Sequence, residues 1–392
     1  MEDIVIVSAA RTAVGDFGGS LKDLTPTQLG AISAKAAIER AGIDAKDVDQ
    51  AFIGSVIHTE ARDMYVSRTV ALEAGLSEHA PCLTVNRLCG SGLQAIVSAI
   101  QTLALGDANI ALAGGTESMS RAGYLLPGAR WGQRMGDGTM IDMMTGALHD
   151  PFGHGHMGIT AENVAEKYNI SREDQDAFAV ESHRRAAAAI EAGYFDEQIV
   201  PVTLKTRKGE VVFKTDEHVR ADATVEGMAK LRTVFKQDGR VTAGNASGIN
   251  DGSAALILMT ASEAAKRGLT PMAKVRSYGH AGVAPEIMGM GPVPAMQVAM
   301  QKAGITADQL DVIESNEAFA AQACAVSQQL GLDAAKVNPN GGAVAIGHPV
   351  GASGAIIATK LLYELKRSGG KLGAATMCIG GGQGIALIVE AI

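Results

Sequence analysis

Ala41-Gly42-Ile43, followed by Val48-Asp49, returns as Ala303-Gly304-Ile305, followed by Leu310-Asp311, 262 positions further along a chain of 392 residues. Ser91-Gly92 returns as Ser353-Gly354 at the same offset. Matches that share one register mark two copies of one unit. Around these anchors each copy reads as strand, helix, strand, Gly-containing loop, charge-free helix, strand. In the first copy these are Ile4 to Val7, Leu29 to Ala41, Ala51 to Val56, Leu93 to Leu105 and Asn109 to Ala113. In the second, strands start near Lys274, Val312 and Ala374, and the counterpart of the charge-free helix runs from Ala355 to Leu362 with Lys360 as its one charge. Alternating β and α elements give an α/β chain with a largely parallel or mixed sheet and helices on its faces. The two helices are apolar on nearly all sides, which places them between two sheets.

The second copy closes with Gly380-Gly381-Gly382-Gln383-Gly384 and then, at once, the strand Ile385 to Val389. In the first copy Gly114-Gly115 has no such neighbour, and the counterpart strand appears only at Ala254 to Met259, after Gly252. Residues 118–250 are therefore an insertion, expected to form a cap or loop domain. The halves are then 1–117, completed by about 251–270, and 271–392. Within the insertion, residues 201–240 carry nine Lys/Arg against six Asp/Glu, while the whole chain is at −8. A basic segment in an acidic chain fits either a small anionic ligand or a solvated face.

The net charge and a pI near 5.6 argue against a nucleic-acid binder, because phosphate neutralisation needs a basic face. Gly is abundant, at 47 residues, and aromatics make up only 4%, so close backbone approach must do much of the packing. The start, Met1 to Val7, lacks the basic flank and long apolar core of a signal peptide, and a cytoplasmic protein is expected. Leu88 to Gly106 and Val337 to Thr359 are charge-free and long, but interrupting Gly, Ser, Gln, Asn and Pro favour buried segments over membrane spans. Four cysteines (Cys82, Cys89, Cys324, Cys378) without a CxxC pair make neither a disulfide framework nor a zinc site.

Cys89 lies in Asn86-Arg87-Leu88-Cys89-Gly90-Ser91-Gly92, just before the first charge-free helix. Unpaired N–H groups and the positive dipole end at a helix start lower a thiol pKa, which makes Cys89 a candidate nucleophile; a small buried hydrophobe is the alternative. Gly90 to Ala95 also satisfies G-x-G-x-x-A, the mark of a nicotinamide oxidoreductase, but it follows two earlier strands instead of joining the first strand to its helix. His348, in Gly341 to Gly354, stands three residues before the position that matches Cys89 in the other copy. Pseudo-twofold packing would make it the base that activates Cys89 and a donor to an oxyanion. Cys378 opens the run of glycines, whose N–H groups can line an anion hole. Asn316, after the strand that starts at Val312, can orient a water or a carbonyl, or simply cap a turn. His149, His154 and His156 lack an acidic or Cys partner at metal-ligand spacing, so no metal is expected.

Together the segments Asn86 to Gly92, Asn316 to Ala320, Gly341 to Gly354 and Cys378 to Gly384 resemble the thiolase family over essentially the full length, most closely the bacterial biosynthetic acetyl-CoA acetyltransferases and β-ketothiolases. The resemblance implies a duplicated fold in five αβαβα layers, and a homotetramer often assembled through part of the insertion. It implies Cys89 as acyl acceptor, His348 as its activator and Cys378 as acid/base for the second substrate. One oxyanion hole would come from His348 and Asn316 through a water, the other from the N–H groups of Cys89 and Gly380. Coenzyme A would be held by His156-Met157-Gly158, Arg220, Leu231 and Val241 to Ser247, including Ala243, Ala246 and Ser247. The pantetheine and acyl end would meet Leu148, His156, Met157, Met288, Ala318 and Phe319. At 227 many relatives carry Ser where this chain has Gly227. The implied reaction is reversible condensation of two acetyl-CoA to acetoacetyl-CoA and CoA, with no cofactor beyond the CoA thioesters. Two alternatives are a β-ketothiolase for five-carbon or longer chains and a catalytically silent acyl-CoA binder; the four retained catalytic-type residues argue against the second.

Overall fold

In the computed structural model, residues 2–207 and 209–392 are described. The first copy supplies β1 (Ile4–Thr12), α1 (Pro26–Ala41), β2 (Gln50–Gly54), α2 (Val66–Glu73), β3 (Cys82–Val85), α3 (Ser91–Leu105) and β4 (Ile110–Ser118). The long segment that follows contains α4 (Met157–Lys167) and α5 (Arg172–Glu191), after which β5 (Asn250–Thr260) returns to the first sheet. The second copy supplies β6 (Ala273–Gly282), α6 (Pro292–Ala303), β7 (Val312–Ser315), α7 (Ala320–Leu330), α8 (Ser353–Ser368), β8 (Leu372–Ile379) and β9 (Gln383–Ala391).

The quoted triplets are helix ends. α1 begins with Pro26 behind a Thr25/Gln28 capping box and stops at Gly42 with φ 67°, and α6 begins with Pro292 and stops at Gly304 with φ 67°. Proline at the entrance and a left-handed glycine at the exit define the same helix twice.

The strand order is β7-β8-β9-β6-β1-β5-β4-β2-β3. Pairing is antiparallel for β1–β5, β5–β4, β6–β9 and β9–β8, and parallel for β4–β2, β2–β3 and β8–β7. The sheet is therefore mixed, with the same pairing pattern in both halves. A parallel bridge from Ile313 to Val337 stands where β3 does in the first copy. Both first strands bulge near the start, between Ile6 and Ser8 and between Val275 and Ser277. The strands of the two halves are joined through β1 and β6, at Val5–Lys274 and Ile6–Ala273.

Period-two alternation sorts the apolar side chains into three layers. Ile110, Leu112, Ile257 and Met259 point outward beneath α1 and α2. Ala111, Ala113, Leu256 and Leu258 point inward, as do Met377, Ile379, Ile385 and Leu387 of the second half, and α3 and α8 fill the space between them. Ala374, Ala386 and Ile388 face α6 on the far side. The result is five layers, αβαβα. The stretch Ala355 to Leu362 is not free of charge, since Lys360 lies within it; the helix stays interior there because Lys360 is buried on Glu314 (2.7 Å) and the Gly341 carbonyl (2.6 Å), and α8 runs on to Ser368. β3 and α2 have no counterpart among the elements expected from sequence. β3 is four residues long, follows Pro81 and lies at the sheet edge, so it carries little pattern.

The segment between β4 and β5 packs onto both halves. Arg11 at the end of β1 forms a fully buried bidentate pair with Asp216 (2.7 and 2.9 Å), and Ser182 of α5 donates to Glu317 (2.7 Å).

α3 and α8 cross at the two glycines that share the repeat register. A Cβ on Gly354 would stand 2.2 Å from the Leu93 nitrogen, and one on Gly92 would stand 2.7 Å from the Ala355 nitrogen. Both obstacles are backbone, so neither can move aside. Gly354→Ala is expected to lower unfolding stability by about 3 kcal/mol or to prevent folding, whereas Gly123→Ala, with open space around it, should change it by less than about 0.5 kcal/mol. Denaturant titration of the two variants checks the contrast.

Candidate active site

β3 ends at Val85 and α3 begins at Ser91, which leaves five residues for a tight reversal. Leu88 takes φ 45°, an uncommon value for a side chain of its size. Asn86 Oδ1 accepts the Leu88 N–H (3.0 Å), Ser91 Oγ accepts the Arg87 N–H (2.9 Å), and the Ser91 hydroxyl donates to Leu88 O (2.6 Å). Cys89 is thereby presented, part-buried, at the mouth of the interior helix. Burial pushes its thiol up, the N–H groups of Gly380 and of Cys89 itself pull it down, and the charge of Glu117 adds to the upward push. The net direction is the reverse of what a helix start alone gives, because desolvation outweighs the donors. The resting group is a thiol that needs a base.

A group able to receive a proton stands in the other copy. The loop before α8 is fixed by Asn250, whose Oδ1 accepts the His348 N–H (2.9 Å) and whose amide group fills the space where a Gly347 side chain would be. His348 is buried, its Nδ1 lies 2.6 Å from Ser353 Oγ, and its Nε2 has no partner among the described residues. Burial carries the ring down to about 4, so it is neutral and able to receive a proton. Cys378, next to last on β8, is buried, and desolvation together with the nearby Cys89 pushes its thiol well up. Asn316 follows β7. Its N–H donates to Thr376 O (2.9 Å), and its side-chain Nδ2 is buried without a partner among the described residues.

Cys89, His348, Cys378 and Gly380 share the wall of one cavity of about 410 Å³. Leu148, His156, Met157, Ala243, Ala246, Ser247, Met288, Ala318 and Phe319 line the same space. Arg220 and Leu231 do not. They belong to a neighbouring cavity of about 390 Å³ that shares His218 and Ala243 with the first, and Gly227 also lies there. Asn316 is absent from the main wall as well; with Ser353 and Gly347 it lines a small pocket behind it. Cys82 and Cys324 pack in other apolar clusters, and burial raises Cys324 to about 12.

His156 stacks on Phe235 (4.6 Å between centroids), and its Nδ1 accepts the Gly158 N–H (3.0 Å), which caps α4. His149 Nδ1 lies 2.8 Å from Thr145 O. These ring nitrogens are occupied by backbone.

Several wall residues went unread in the sequence. Met119, Ile249 and Val350 form an apolar cluster against Cys89, and Phe235 closes the opposite side. Val350 stands two residues after His348 and was within reach of the motif. Phe235 and Asn250 carry no local signal, since only the fold brings them in. Glu117, fully buried, accepts N–H bonds from Val56, Ile57 and Gly351 (3.1, 3.1 and 2.8 Å) and so joins the Cys89 and His348 sides from beneath.

Chemically, the cavity offers one part-buried and one buried thiol, an imidazole nitrogen free to take a proton, and backbone N–H groups at one sulfur. That set suits transfer of an acyl group through a thioester, followed by proton abstraction at a second carbon.

The chain was compared with known families and structures. The model for "Thiolase, N-terminal domain" matches residues 4–262 and that for "Thiolase, C-terminal domain" matches residues 269–391. The β-ketothiolase BktB of Cupriavidus necator is 61% identical over 391 residues, covering 100% of this chain and 99% of that protein. An acetyl-CoA acetyltransferase of the same organism is 53% identical over 392 residues, with both chains fully covered. The crystal structure of human mitochondrial 3-ketoacyl-CoA thiolase superimposes with a TM-score of 0.98 at 44% identity, covering 100% of this chain and 99% of that one. The acetyl-CoA acetyltransferase of Bacillus anthracis gives 0.98 at 47%, with the same coverage. With the duplicated fold, the paired thiols and full-length family matches in agreement, the chain belongs to the thiolase family.

Proposed function

We propose that the protein catalyses the reversible condensation of two acetyl-CoA to acetoacetyl-CoA and CoA through an acyl group on Cys89. The observation that carries this reading is the convergence of Cys89, His348, Cys378 and Gly380 on one apolar cavity. His348 Nε2 takes the Cys89 proton, the sulfur attacks the acetyl carbonyl, and the developing oxyanion meets the N–H groups of Cys89 and Gly380. Cys378 gives its proton to the departing CoA sulfur and, now a thiolate, removes an α-proton from the second acetyl-CoA. The enolate oxygen faces protonated His348 and a water on Asn316. Its carbon attacks acetyl-Cys89, and the freed Cys89 sulfur takes back the proton of His348. Every proton is returned, so CoA thioesters suffice and neither metal nor redox cofactor enters.

The two adjoining cavities divide coenzyme A by chemistry: pantetheine in the apolar one, the anionic nucleotide end beside Arg220 and Leu231. Gly227 offers no side-chain donor there. A 3-ketoacyl range of five carbons or more is the second reading. It is favoured by the likeness to a β-ketothiolase and by Met119, Met157 and Met288 on the cavity wall, since methionine adapts its shape to different chains.

A homotetramer is the proposed assembly. Residues 124–143 expose Tyr124, Leu125, Met140 and, at 86% and 94%, Trp131 and Met135, and β3 presents an open sheet edge. Cytoplasm is the proposed compartment, where thiols such as Cys89 and Cys378 stay reduced.

Acetyl-CoA alone should leave one acetyl group per chain on Cys89, seen by intact-protein and peptide mass spectrometry and lost in Cys89→Ala. An adduct on Cys82 or Cys324 instead would refute the assignment. Cys378→Ser should keep the Cys89 adduct while losing condensation, thiolysis and exchange of acetyl-CoA methyl protons with deuterated solvent. A loss of about 1000-fold, or about 4 kcal/mol of transition-state stabilisation, is the expected size. Near wild-type condensation would make Cys378 a packing residue.

A further inference from the structure

His348 Nδ1 lies 2.6 Å from Ser353 Oγ, and that hydroxyl lies 2.9 Å from the Pro349 carbonyl oxygen, all inside the protein. A serine hydroxyl has one proton to give, so the direction of this chain decides which ring nitrogen of His348 is bare. The repeat resolves the direction. Ser91 is the counterpart of Ser353, and each is the first residue of an interior helix. Ser91 Oγ accepts from the Arg87 N–H, a group that can only donate, so its own proton goes to Leu88 O at 2.6 Å. Ser353 meets the same arrangement, a carbonyl from the preceding turn on one side and a ring nitrogen in place of the backbone N–H on the other.

We infer that Ser353 is the positioning residue of His348: its proton rests on Pro349 O, its oxygen accepts Nδ1–H, and Nε2 is left unprotonated at the cavity wall. The same acceptor serves the ring after Nε2 has taken the Cys89 proton, because Nδ1 keeps its hydrogen throughout. A neutral hydroxyl here, where many base–nucleophile pairs have a carboxylate, leaves the imidazole weakly basic and ready to return the proton to the Cys89 sulfur at the end of the cycle. The titratable groups that share the cavity with His348 are Cys89, Cys378, His156 and His218. Glu117 touches the end of its loop through the Gly351 N–H, and the Lys360–Glu314 pair lies deeper along α8.

This inference rests on the reading of His348 as the base, and the test separates the two. The pH profile of Cys89 alkylation by iodoacetamide, and kcat and KM for thiolysis of acetoacetyl-CoA, are measured for wild type, Ser353→Ala, Ser353→Thr and His348→Ala, with CoA affinity and unfolding midpoint as controls. Ser353→Ala should lower kcat about 10- to 100-fold with KM within about twofold, and should shift alkylation to higher pH, because the base has lost the acceptor that favours its protonated form. Ser353→Thr, which keeps the hydroxyl, should restore most of kcat. An unchanged profile in Ser353→Ala, or a loss that merely follows the unfolding midpoint, overturns the role of Ser353. If His348→Ala also leaves the profile unchanged, the fault lies in His348 as base.

Discussion

Two helices cross inside this molecule with no side chain between them at Gly92 and Gly354, and the positions of Cys89 and His348 follow from that contact. Because the glycines lie at the N-terminal ends of α3 and α8, the turns preceding the helices are forced together. One turn carries Cys89 and the other His348. The sheets they separate then deliver Cys378 and Gly380 from β8 and its following turn, and Asn316 from the end of β7, to the same end of the molecule. Methyl groups at the crossing would push the helices apart and the turns with them. Packing and chemistry therefore depend on one small-residue contact, and the scarcity of aromatic side chains in the chain agrees with it.

Desolvation sets the electrostatics of the site. It raises both thiols and lowers His348, so the three groups are neutral together. Beneath the His348 loop the charged groups are scaffold. Lys360 binds Glu314 and the Gly341 carbonyl, Asn340 binds Glu364, and Glu317 accepts from Ser182, Asn338 and the Val344 N–H. Burial lifts Glu314 to about 7 against the pull of Lys360. These buried polar groups hold a glycine-rich loop that has few side chains of its own with which to pack.

The duplication, the interior helices and the cysteines were readable because each is written locally, as a helix-ending triplet, a charge-free run or a glycine-flanked thiol. β3 escaped because four edge residues after Pro81 have no room for an alternating pattern. The direction of the Cys89 shift escaped for a different reason: a helix start is visible in sequence, while the depth of burial that outweighs it arises from the second sheet. Ser353 was visible only as a marker of the repeat; its contact with His348 needs the first turn of α8 folded back on the loop. Arg220 and Leu231 lie in a cavity separate from Cys89 and Cys378, and Asn316 behind the cavity wall, because spacing along the chain carries no information on which surface separates two neighbours.

The most direct measurement is CoA-dependent loss of acetoacetyl-CoA absorbance with products counted by chromatography, on the wild-type protein in chelator-treated buffer, with 3-ketovaleryl-CoA alongside. Two acetyl-CoA should appear for each acetoacetyl-CoA consumed, and the reaction should stop when Cys89 is alkylated. Release of free acetoacetate, or turnover that survives modification of Cys89, would contradict an acyl-cysteine thiolase.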